Sequence, residues 1–324
     1  MKKALKIIGI LVCIIILGVA AIASYVKVAL PNVGAITAIK VNSTPENIQR
    51  GEYLANHVLA CMDCHSTRDE HEFAAPLVAG TLGKGGEKFD QTMGFPGVYY
   101  AANITPAGIG AWSDGEIFRA ITTGVGRDGH AMFPVMPYAS YGKLDQNDIE
   151  DVIAYLRTLP AIENTVTPPH SDFPMSIIIN TIPKKASLTT IPSSNDSLAY
   201  GKYLFTAAAC HDCHTPFVSG KYDETKFMSG GREFQVANGT VTSANLTPDE
   251  TGIGNWNREA FINKFRTYRD STEAHQKLQP SDMQTIMPWT AYAGMTDKDL
   301  SAIYTYLQTI PAINNSVVKF KPKN

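Results

Sequence analysis

The stretch Cys61-Met62-Asp63-Cys64-His65 occurs a second time, with the same pattern, as Cys210-His211-Asp212-Cys213-His214. Both stretches read Cys-x-x-Cys-His, the attachment pattern of a c-type haem. Covalent attachment needs two thiols one helical turn apart, each forming a thioether to a vinyl group, and an imidazole directly after them to ligate the iron. The sequence therefore predicts two covalently attached haem c groups.

Two other interpretations of the motif are a structural zinc site and a thioredoxin-type redox pair. A zinc site would use the Cys and His side chains without a macrocycle, and a redox pair would not need the trailing His in both copies. With 5 Cys and 8 His in 324 residues, one chance copy of the motif is expected in about 2 of 1000 such chains. Two copies favour haem over both alternatives.

The N-terminal segment, residues 1–27, predicts a transmembrane anchor. Its run Ile7–Val26 carries no charge, and a helix of that length spans about 30 Å, the thickness of the bilayer's hydrocarbon core. Lys2, Lys3 and Lys6 precede the run. Because positive residues favour the cytoplasmic side, the remainder of the chain is expected on the periplasmic side of the inner membrane.

A cleaved signal peptide is the alternative for this segment, since Ala21-Ile22-Ala23 offers a cleavage site. The apolar run continues past that site through Val26, which favours a retained single-pass anchor. Cleavage would give a soluble periplasmic protein, and either outcome places the haem motifs outside the cytoplasmic membrane. Cys13, the one cysteine outside the motifs, is expected to be a small buried hydrophobe.

The length and net charge of the chain limit the number of domains and the kind of partner that can be expected. A length of 324 residues suggests about two domains, and a net charge of -2 with a pI near 6.4 gives no reason to expect a nucleic-acid partner. The predicted organisation is a tether at 28–43, a domain at 44–166, a linker at 167–193 and a second domain at 194–319. Within the linker, Ile177-Ile178-Ile179 is apolar enough that it is expected to pack against a domain.

The two domains are predicted to be copies of one another. Helix start signals mark the first copy, with N-caps at Thr44 and Asp145 and a capping box from Ser113 to Glu116. Between the motif and the capping box, residues 66–100 are rich in Gly and are predicted to form a long loop that wraps a ligand. Matching stretches of the two copies include Gly51-Glu52-Tyr53-Leu54 with Gly201-Lys202-Tyr203-Leu204 and Asn103-Ile104-Thr105-Pro106 with Asn245-Leu246-Thr247-Pro248.

Met136 and Met287 are the predicted distal iron ligands, opposite His65 and His214. A Met thioether with a His imidazole gives a closed centre, as in cytochromes c. Met136 lies 136 - 65 = 71 residues after its His and Met287 lies 287 - 214 = 73 after its own, and each precedes a Pro that suits an irregular loop. The alternative candidates are Met132, Met283, His130 and His57.

The residues that match between the copies also resemble a known family. Gly51 to His65, Asn103 to Pro106, Gly108 to Asp114, Met136-Pro137-Tyr138 and Ala154 to Arg157 are similar to class I c-type cytochrome domains in the cytochrome c subunits of bacterial membrane-bound alcohol and gluconate dehydrogenases. The resemblance covers most of the chain after residue 44. It implies an all-α fold of two tandem cytochrome c-like domains, His and Met ligation, and electron delivery between a periplasmic dehydrogenase and the respiratory chain. Those subunits typically carry three haem motifs, whereas this chain has two.

The expected function is therefore that of a membrane-anchored dihaem electron carrier with no catalytic residues. Its expected partners are a periplasmic dehydrogenase, a terminal oxidase or another respiratory electron carrier, together with membrane lipid around the N-terminal helix. The alternative is a dihaem enzyme, a peroxidase or a thiosulfate-oxidising cytochrome. Such an enzyme needs an exchangeable ligand on at least one iron, and a Met-Pro pair in both copies argues against it.

Overall fold

The computed structural model describes residues 2–269 and 275–323. Its first helix, α1 (Lys2–Ala29), is the one helix in these ranges that is long and apolar enough to cross a membrane, so the predicted apolar helix is present. Along α1 the side chains are exposed except for Ala23 and Val26. Cys13 is exposed rather than buried as expected, because that part of α1 has no protein neighbour.

The first half of the remaining chain begins with a helix that the attachment motif follows closely. Thr44 caps this helix as predicted, and a π-helical turn at Leu54–Val58 continues it toward the motif. The capping box of Ser113 and Glu116 and the cap by Asp145 are also present. The helices of this half are α2 (Pro45–Tyr53), α3 (Cys61–His65), α4 (Pro106–Ile109), α5 (Asp114–Thr123), α6 (Tyr138–Tyr141) and α7 (Gln146–Leu156).

The second half repeats this arrangement after a connection that contains a short helix of its own. The helices are α8 (Met175–Ile178) in the connection, then α9 (Ser197–Ala207), α10 (Cys210–His214), α11 (Arg258–Arg266), α12 (Trp289–Tyr292) and α13 (Asp297–Leu307). By position in the repeat, α9 and α13 of the second half correspond to α2 and α7 of the first.

In each half the first and last helices cross at a glycine. A Cβ atom on Gly51 of α2 would lie 1.8 Å from the backbone oxygen of Asp151 in α7. In the second half, a Cβ atom on Gly201 would lie 1.9 Å from the backbone oxygen of Ala302. Backbones can approach this closely only where no side chain intervenes. The Gly-x-Tyr-Leu stretch of each copy therefore sets the helix crossing around which that half packs.

Short strands interrupt the helices. Those of the first half are β1 (Lys88–Phe89), β2 (Gly97–Tyr100) and β3 (His170–Ser171), and those of the second are β4 (Phe217–Val218), β5 (Lys221–Tyr222), β6 (Glu233–Val236), β7 (Gly239–Thr242) and β8 (Phe320–Pro322). All pairings are antiparallel, in the orders β1-β2-β3, β4-β5 and β6-β7-β8. Each half thus has a three-stranded sheet whose last strand comes from the segment that leaves that half.

The expected all-α fold is therefore only partly correct. Residues 66–100, predicted as a loop, contain β1, β2 and a 3-10 turn at Gln91–Met93. The backbone of a long loop must pair its N–H and C=O groups where water is excluded. Antiparallel pairing with the segment that leaves each half provides these partners, a long-range pairing that helical periodicity does not predict.

A pair of matching tyrosines joins the two halves. The Tyr53 hydroxyl donates to the Asp299 carboxylate, and it accepts from Thr296 N at 3.1 Å. On the other side the Tyr203 hydroxyl donates to the Asp148 carboxylate at 2.6 Å and accepts from Asp145 N at 3.0 Å. Each tyrosine of one half bonds to the N-cap residue and to a first-turn Asp of the other half's last helix, so the halves meet through a self-complementary contact with approximate two-fold symmetry.

The connection between the halves packs along the first half. Its strand β3 pairs with β2, and farther on Ser187 N donates to Gly142 O at 2.8 Å. Ile179 packs against a buried cluster of Phe89, Tyr99 and Ala101, as expected for the apolar triplet. Ile177 and Ile178, by contrast, remain 37% and 42% exposed.

Candidate functional site

Both attachment motifs are short helices that begin after a left-handed residue. Ala60 and Ala209, directly before α3 and α10, have φ of 50° and 48°. This turn lets the chain leave the preceding helix and start a new one at the first Cys of each motif. Within each new helical turn the two Cys side chains lie three residues apart, the separation that two thioether bonds to one haem require.

Each proximal histidine is held by one backbone carbonyl. His65 Nδ1 lies 2.7 Å from Ala102 O, and His214 Nδ1 lies 2.8 Å from Ala244 O. A carbonyl oxygen accepts only, so Nδ1 carries the proton and donates it, and Nε2 is left with a free lone pair. This is the tautomer that a metal-bound imidazole needs. Burial lowers the pKa of both histidines, which keeps the rings neutral.

The carbonyls that hold the histidines are positioned by the Asn-x-Thr-Pro stretches. Asn103 Oδ1 accepts from the backbone and hydroxyl of Thr105 at 3.0 and 2.7 Å, and its amide donates to Ile162 O at 2.8 Å. Asn245 makes the same contacts, with Thr247 at 2.9 and 2.8 Å and Ile313 O at 2.8 Å. Each Asn directly follows the residue whose carbonyl accepts from the histidine. The sequence identified these stretches as repeats but did not predict this role.

The four motif cysteines are free and half-buried. Cys61 and Cys210 pack against the main apolar core, which spans both halves, and Cys64 packs against the cluster of Phe89, Tyr99 and Ala101. Burial raises the pKa of the Cys61 and Cys210 thiols to about 12. Within the described ranges no three His, Cys, Asp or Glu side chains form a group that could hold a metal ion.

Met136 and Met287 occupy matching loops. Both are half-buried and pack against the main core, and neither Met132 nor Met283 is among the residues that do so. The residue two positions after each predicted ligand donates its N–H back to the Met carbonyl, Tyr138 N at 2.8 Å and Trp289 N at 2.7 Å. Ligation of iron by these two methionines remains a prediction.

Two tyrosines that the sequence did not single out connect the segments after the Met loops to the residues just before the attachment helices. Tyr141 donates its hydroxyl to Leu59 O at 2.7 Å, and Tyr292 donates to Ala208 O at 2.7 Å. Both side chains are buried, and burial raises their pKa well above the usual value. The sequence does contain a signal for this shared role, because each tyrosine lies five residues after the Met of its own copy.

The alternative histidines are engaged elsewhere. His130 Nδ1 contacts the Asp128 carboxylate on an exposed turn. His57 Nδ1 donates to Ala291 O at 3.0 Å across the contact between the halves. Neither has a histidine at the matching position of the other copy, so both fit local structural roles.

The donor set fits haem c in both halves. Each half offers two thiols in one helical turn, an imidazole whose Nε2 is free, apolar walls and a Met-bearing loop followed by a tyrosine that bonds to the chain just before the attachment helix. The predicted site residues are Cys61, Cys64, His65 and Met136 in the first half and Cys210, Cys213, His214 and Met287 in the second.

Comparison with known proteins supports the same interpretation. Residues 198–311 match the cytochrome c family, so the second half contains a cytochrome c domain. The cytochrome c subunit of the quinone alcohol dehydrogenase of Komagataeibacter europaeus is 24% identical over 282 residues, covering 82% of this chain and 56% of the relative. The fructose dehydrogenase cytochrome subunit of Gluconobacter japonicus is 28% identical over 280 residues, covering 82% and 53%.

A third relative is shorter. The "Diheme cytochrome c-type" protein of Cereibacter sphaeroides is 27% identical over 263 residues, covering 78% of this chain and 82% of the relative. The chain thus spans about half the length of the dehydrogenase subunits it matches and most of the dihaem protein. The resemblance predicted from the sequence is confirmed, and the names of the relatives, two cytochrome subunits and a dihaem cytochrome c, agree with the prediction of a non-catalytic role.

Proposed function

Starting from a chain that resembles the cytochrome c subunits of bacterial dehydrogenases, we propose a membrane-anchored dihaem cytochrome c that transfers single electrons between a periplasmic redox partner and the respiratory chain. The observation that carries this proposal is the matched pair of histidine contacts, His65 with Ala102 O and His214 with Ala244 O. Two independent motifs each present an imidazole in the tautomer that binds iron.

Matching side chains have the same proposed roles in both halves. Cys61 and Cys64, or Cys210 and Cys213, would hold the macrocycle through thioethers, and His65 or His214 would supply an imidazole ligand to its iron. When bound, each haem supplies a one-electron iron centre. The carbonyl that accepts from Nδ1 orients the imidazole and raises its basicity toward the metal. The apolar core would exclude water, and Met136 or Met287 would supply a thioether ligand, which favours electron transfer over catalysis at an open iron.

Anchoring by α1 belongs to this proposal. Lys2, Lys3 and Lys6 lie at its start and favour a cytoplasmic N-terminus, which puts both halves on the periplasmic side. Retention of α1 makes the chain a single-pass inner-membrane protein, and cleavage near Ala23 would release it into the periplasm.

The partner is proposed from the relatives. Subunits of alcohol and fructose dehydrogenases are among the similar proteins. We therefore propose a periplasmic dehydrogenase as the electron donor, and a terminal oxidase or another respiratory carrier as the acceptor.

Spectroscopy of the purified holoprotein tests the ligand assignment. The oxidised protein should show the weak near-infrared band of Met-to-iron charge transfer from both centres, and the reduced protein should bind carbon monoxide poorly. Met136→Leu and Met287→Leu should each remove half of the band and open one iron to carbon monoxide. Met132→Leu and Met283→Leu are the matched controls, and they should leave both signals unchanged.

Three results would contradict the proposal. Carbon monoxide binding at both irons of the unaltered protein would show open sites. Loss of the band in the control variants would assign the wrong methionines. Steady turnover of hydrogen peroxide or thiosulfate would favour the enzyme alternative.

A further inference from the structure

The segment from Asp172 to Thr181 in the connection exposes apolar side chains although it is fixed in place. Phe173 is 82% exposed, which is the highest value among the large apolar residues described after α1, and Ile177 and Ile178 are 37% and 42% exposed. An apolar group of this kind on a folded surface marks a contact with something outside the domain.

Hydrogen bonds hold this segment rigidly against the first half. Asp172 N donates to Pro96 O at 3.0 Å, and the Asp172 carboxylate accepts from Gln91 Nε2 at 2.8 Å. Ser176 N then donates to Asp172 O at 2.9 Å, and Ile179 packs inward on the cluster of Phe89, Tyr99 and Ala101. The exposed side chains are therefore presented by the fold and do not belong to a free loop.

The segment touches the end of α1. Helix α8 and the 3-10 turn Ile179–Thr181 both contact α1, whose two residues that are not exposed, Ala23 and Val26, lie three apart on one face of its last turns. Since Ile7–Val26 matches the hydrocarbon thickness, Ala23 and Val26 lie at the level where α1 leaves the bilayer. Phe173, Ile177 and Ile178 are thus placed beside the membrane surface.

Charge supports the same placement. Lys184 and Lys185 follow the segment, and both are exposed. Neither forms an ion pair with a carboxylate in the part of the chain that the structure describes. Lys27, at the end of α1, is a third cation on this side. Lysines next to an apolar surface suit anionic lipid headgroups, because the apolar groups enter the acyl boundary and the ammonium groups stay at the headgroups.

We infer that Phe173, Ile177 and Ile178 form a second membrane contact, which inserts into the outer surface of the bilayer beside α1 and is supported by Lys184 and Lys185 on anionic headgroups. This inference rests on the proposed anchoring by α1. A membrane contact at this point fixes the first half against the bilayer, so that the chain has one defined orientation and does not swing on the tether at 28–43.

Photo-cross-linking in the full-length holoprotein tests this contact. The photoreactive analogue p-benzoylphenylalanine replaces Phe173 in one variant, Phe217 in a second and Leu17 in a third, each in vesicles of phosphatidylethanolamine and phosphatidylglycerol. Phe217 is the matched control, an exposed Phe of the second half at 44% exposure, and Leu17 reports on the span of α1. Mass spectrometry should find lipid adducts at positions 173 and 17 and essentially none at position 217.

The three positions separate failure of the inference from failure of the anchor. Lipid adducts at 17 without adducts at 173 would overturn the inference and leave the anchor intact. Adducts at 173 without adducts at 17 would support the membrane contact and overturn the retained anchor. Equal yields at 173 and 217, or adducts at 173 only with another protein subunit, would overturn the inference.

The lysines provide a second measurement. Raising the phosphatidylglycerol fraction should raise the adduct yield at position 173. A second variant combines Lys184→Gln and Lys185→Gln. In it the rise in adduct yield with phosphatidylglycerol should be smaller by about fivefold for each lysine that contacts the headgroups. A yield that does not respond to phosphatidylglycerol in either protein would overturn the role assigned to the lysines.

Discussion

The two halves of the chain share the same attachment helix and proximal histidine contact but hold their distal loops in different ways. In the first half Phe133, three residues before Met136, stacks on Tyr99 with ring centroids 4.6 Å apart, so that loop is held by apolar packing within its own half. In the second half the corresponding residue is Gln284, which accepts from the neighbouring Thr285 N at 2.9 Å and has its other hydrogen-bond partners in the first half.

Gln284 is 5% exposed and uses both ends of its amide. Its Oε1 accepts from Ala74 N at 2.9 Å, and its Nε2 donates to Glu72 O at 2.9 Å and to Glu70 O at 3.2 Å. The Met287 loop is therefore held by the first half, whereas no equivalent contact across the halves holds the Met136 loop among the described residues. Duplication therefore preserved the contact of the motif histidine in both halves, whereas it made the Met287 loop of the second half depend on the first half.

The charges beside the attachment helices also differ. In the first half Arg68 pairs with Asp63 at 3.4 Å and with Glu87. In the second half Arg232 occupies the position of Glu87, after the same Gly-Gly pair, and Phe217 occupies the position of Arg68. The Arg232 guanidinium donates to Asp212 O and lies 5.2 Å from the centre of the Phe217 ring. In both halves an Arg guanidinium contacts the Asp residue of the motif, but Arg68 and Arg232 occupy different positions in the repeat.

The largest predicted effect lies in a feature that the halves share. Gly51→Ala and Gly201→Ala each place a Cβ atom within 2 Å of a backbone oxygen of the crossing helix, so we expect each to lower the free energy of unfolding by about 3 kcal/mol. Urea unfolding followed by haem absorbance measures this. Gly220→Ala is the control, since its Cβ would meet open space at a φ of +80°, and only the backbone term of about 1 kcal/mol applies. Similar losses in all three variants would contradict the close helix crossings.

The second prediction tests the difference between the distal loops. Gln284→Leu leaves Ala74 N and the carbonyls of Glu70 and Glu72 without their partner, so the free energy of unfolding should fall by about 2 kcal/mol. The potential and the near-infrared band of the second centre should change, and those of the first should not.

Phe133→Leu is the matched variant for that experiment. It removes one aromatic stack, worth about 1 kcal/mol, and should disturb only the first centre. If Gln284→Leu altered both centres equally, the dependence of the Met287 loop on the first half would be refuted.

The third prediction concerns the symmetric contact between the halves. Tyr53→Phe and Tyr203→Phe each remove a hydrogen bond to a carboxylate, so each should cost about 1.5 kcal/mol. Tyr53→Phe should cost more, because Asp148 keeps its ion pair with Arg50 at 3.0 Å, whereas among the residues that the structure describes Asp299 keeps the neutral Tyr200 hydroxyl and no ion pair. Urea midpoints of the two variants and of Tyr203→Phe combined with Arg50→Gln measure this. A larger loss for Tyr203→Phe than for Tyr53→Phe would contradict this ranking.

Local signals in the sequence predicted much of this structure. The caps at Thr44, Ser113 and Asp145 were correct because a cap depends on a few neighbouring residues. The attachment helices follow from Cys-x-x-Cys-His, and the long apolar helix follows from its composition. These features need no knowledge of distant parts of the chain.

The features that were missed depend on residues far apart in sequence. The strands at 170–171 and 320–322 pair with partners more than 70 residues earlier in the chain, and their runs are too short to show a period. The roles of Asn103, Tyr141 and Gln284 depend on which carbonyl the fold brings near them, and no local pattern contains that information. Repeated residues without an assigned role, such as Tyr141 and Tyr292, were the available clue.

The smallest predicted effect uses the difference in charge, and it is the pH dependence that Glu87 gives to the first half. Burial raises the pKa of Glu87 from an ordinary value of 4.5 to about 7, opposed by Arg68 and reinforced by Asp63 and Glu70. Between these two pH values the folded protein binds more protons than the unfolded one. The contribution of Glu87 to the free energy of unfolding should therefore be fully present below pH 4.5. It should decrease by on the order of 1 kcal/mol as the pH rises to about 7.

Replacement of the carboxylate isolates this contribution. Urea unfolding of the Glu87→Gln variant at several pH values should show a shallower decline over this window than the unaltered protein. Glu233→Gln is the matched control, because Glu233 follows Arg232 in the second half and pairs with Lys321 on the surface, and it should keep the full decline. An unchanged slope in Glu87→Gln would mean that the exchange of Glu87 for Arg232 between the halves has no consequence for stability.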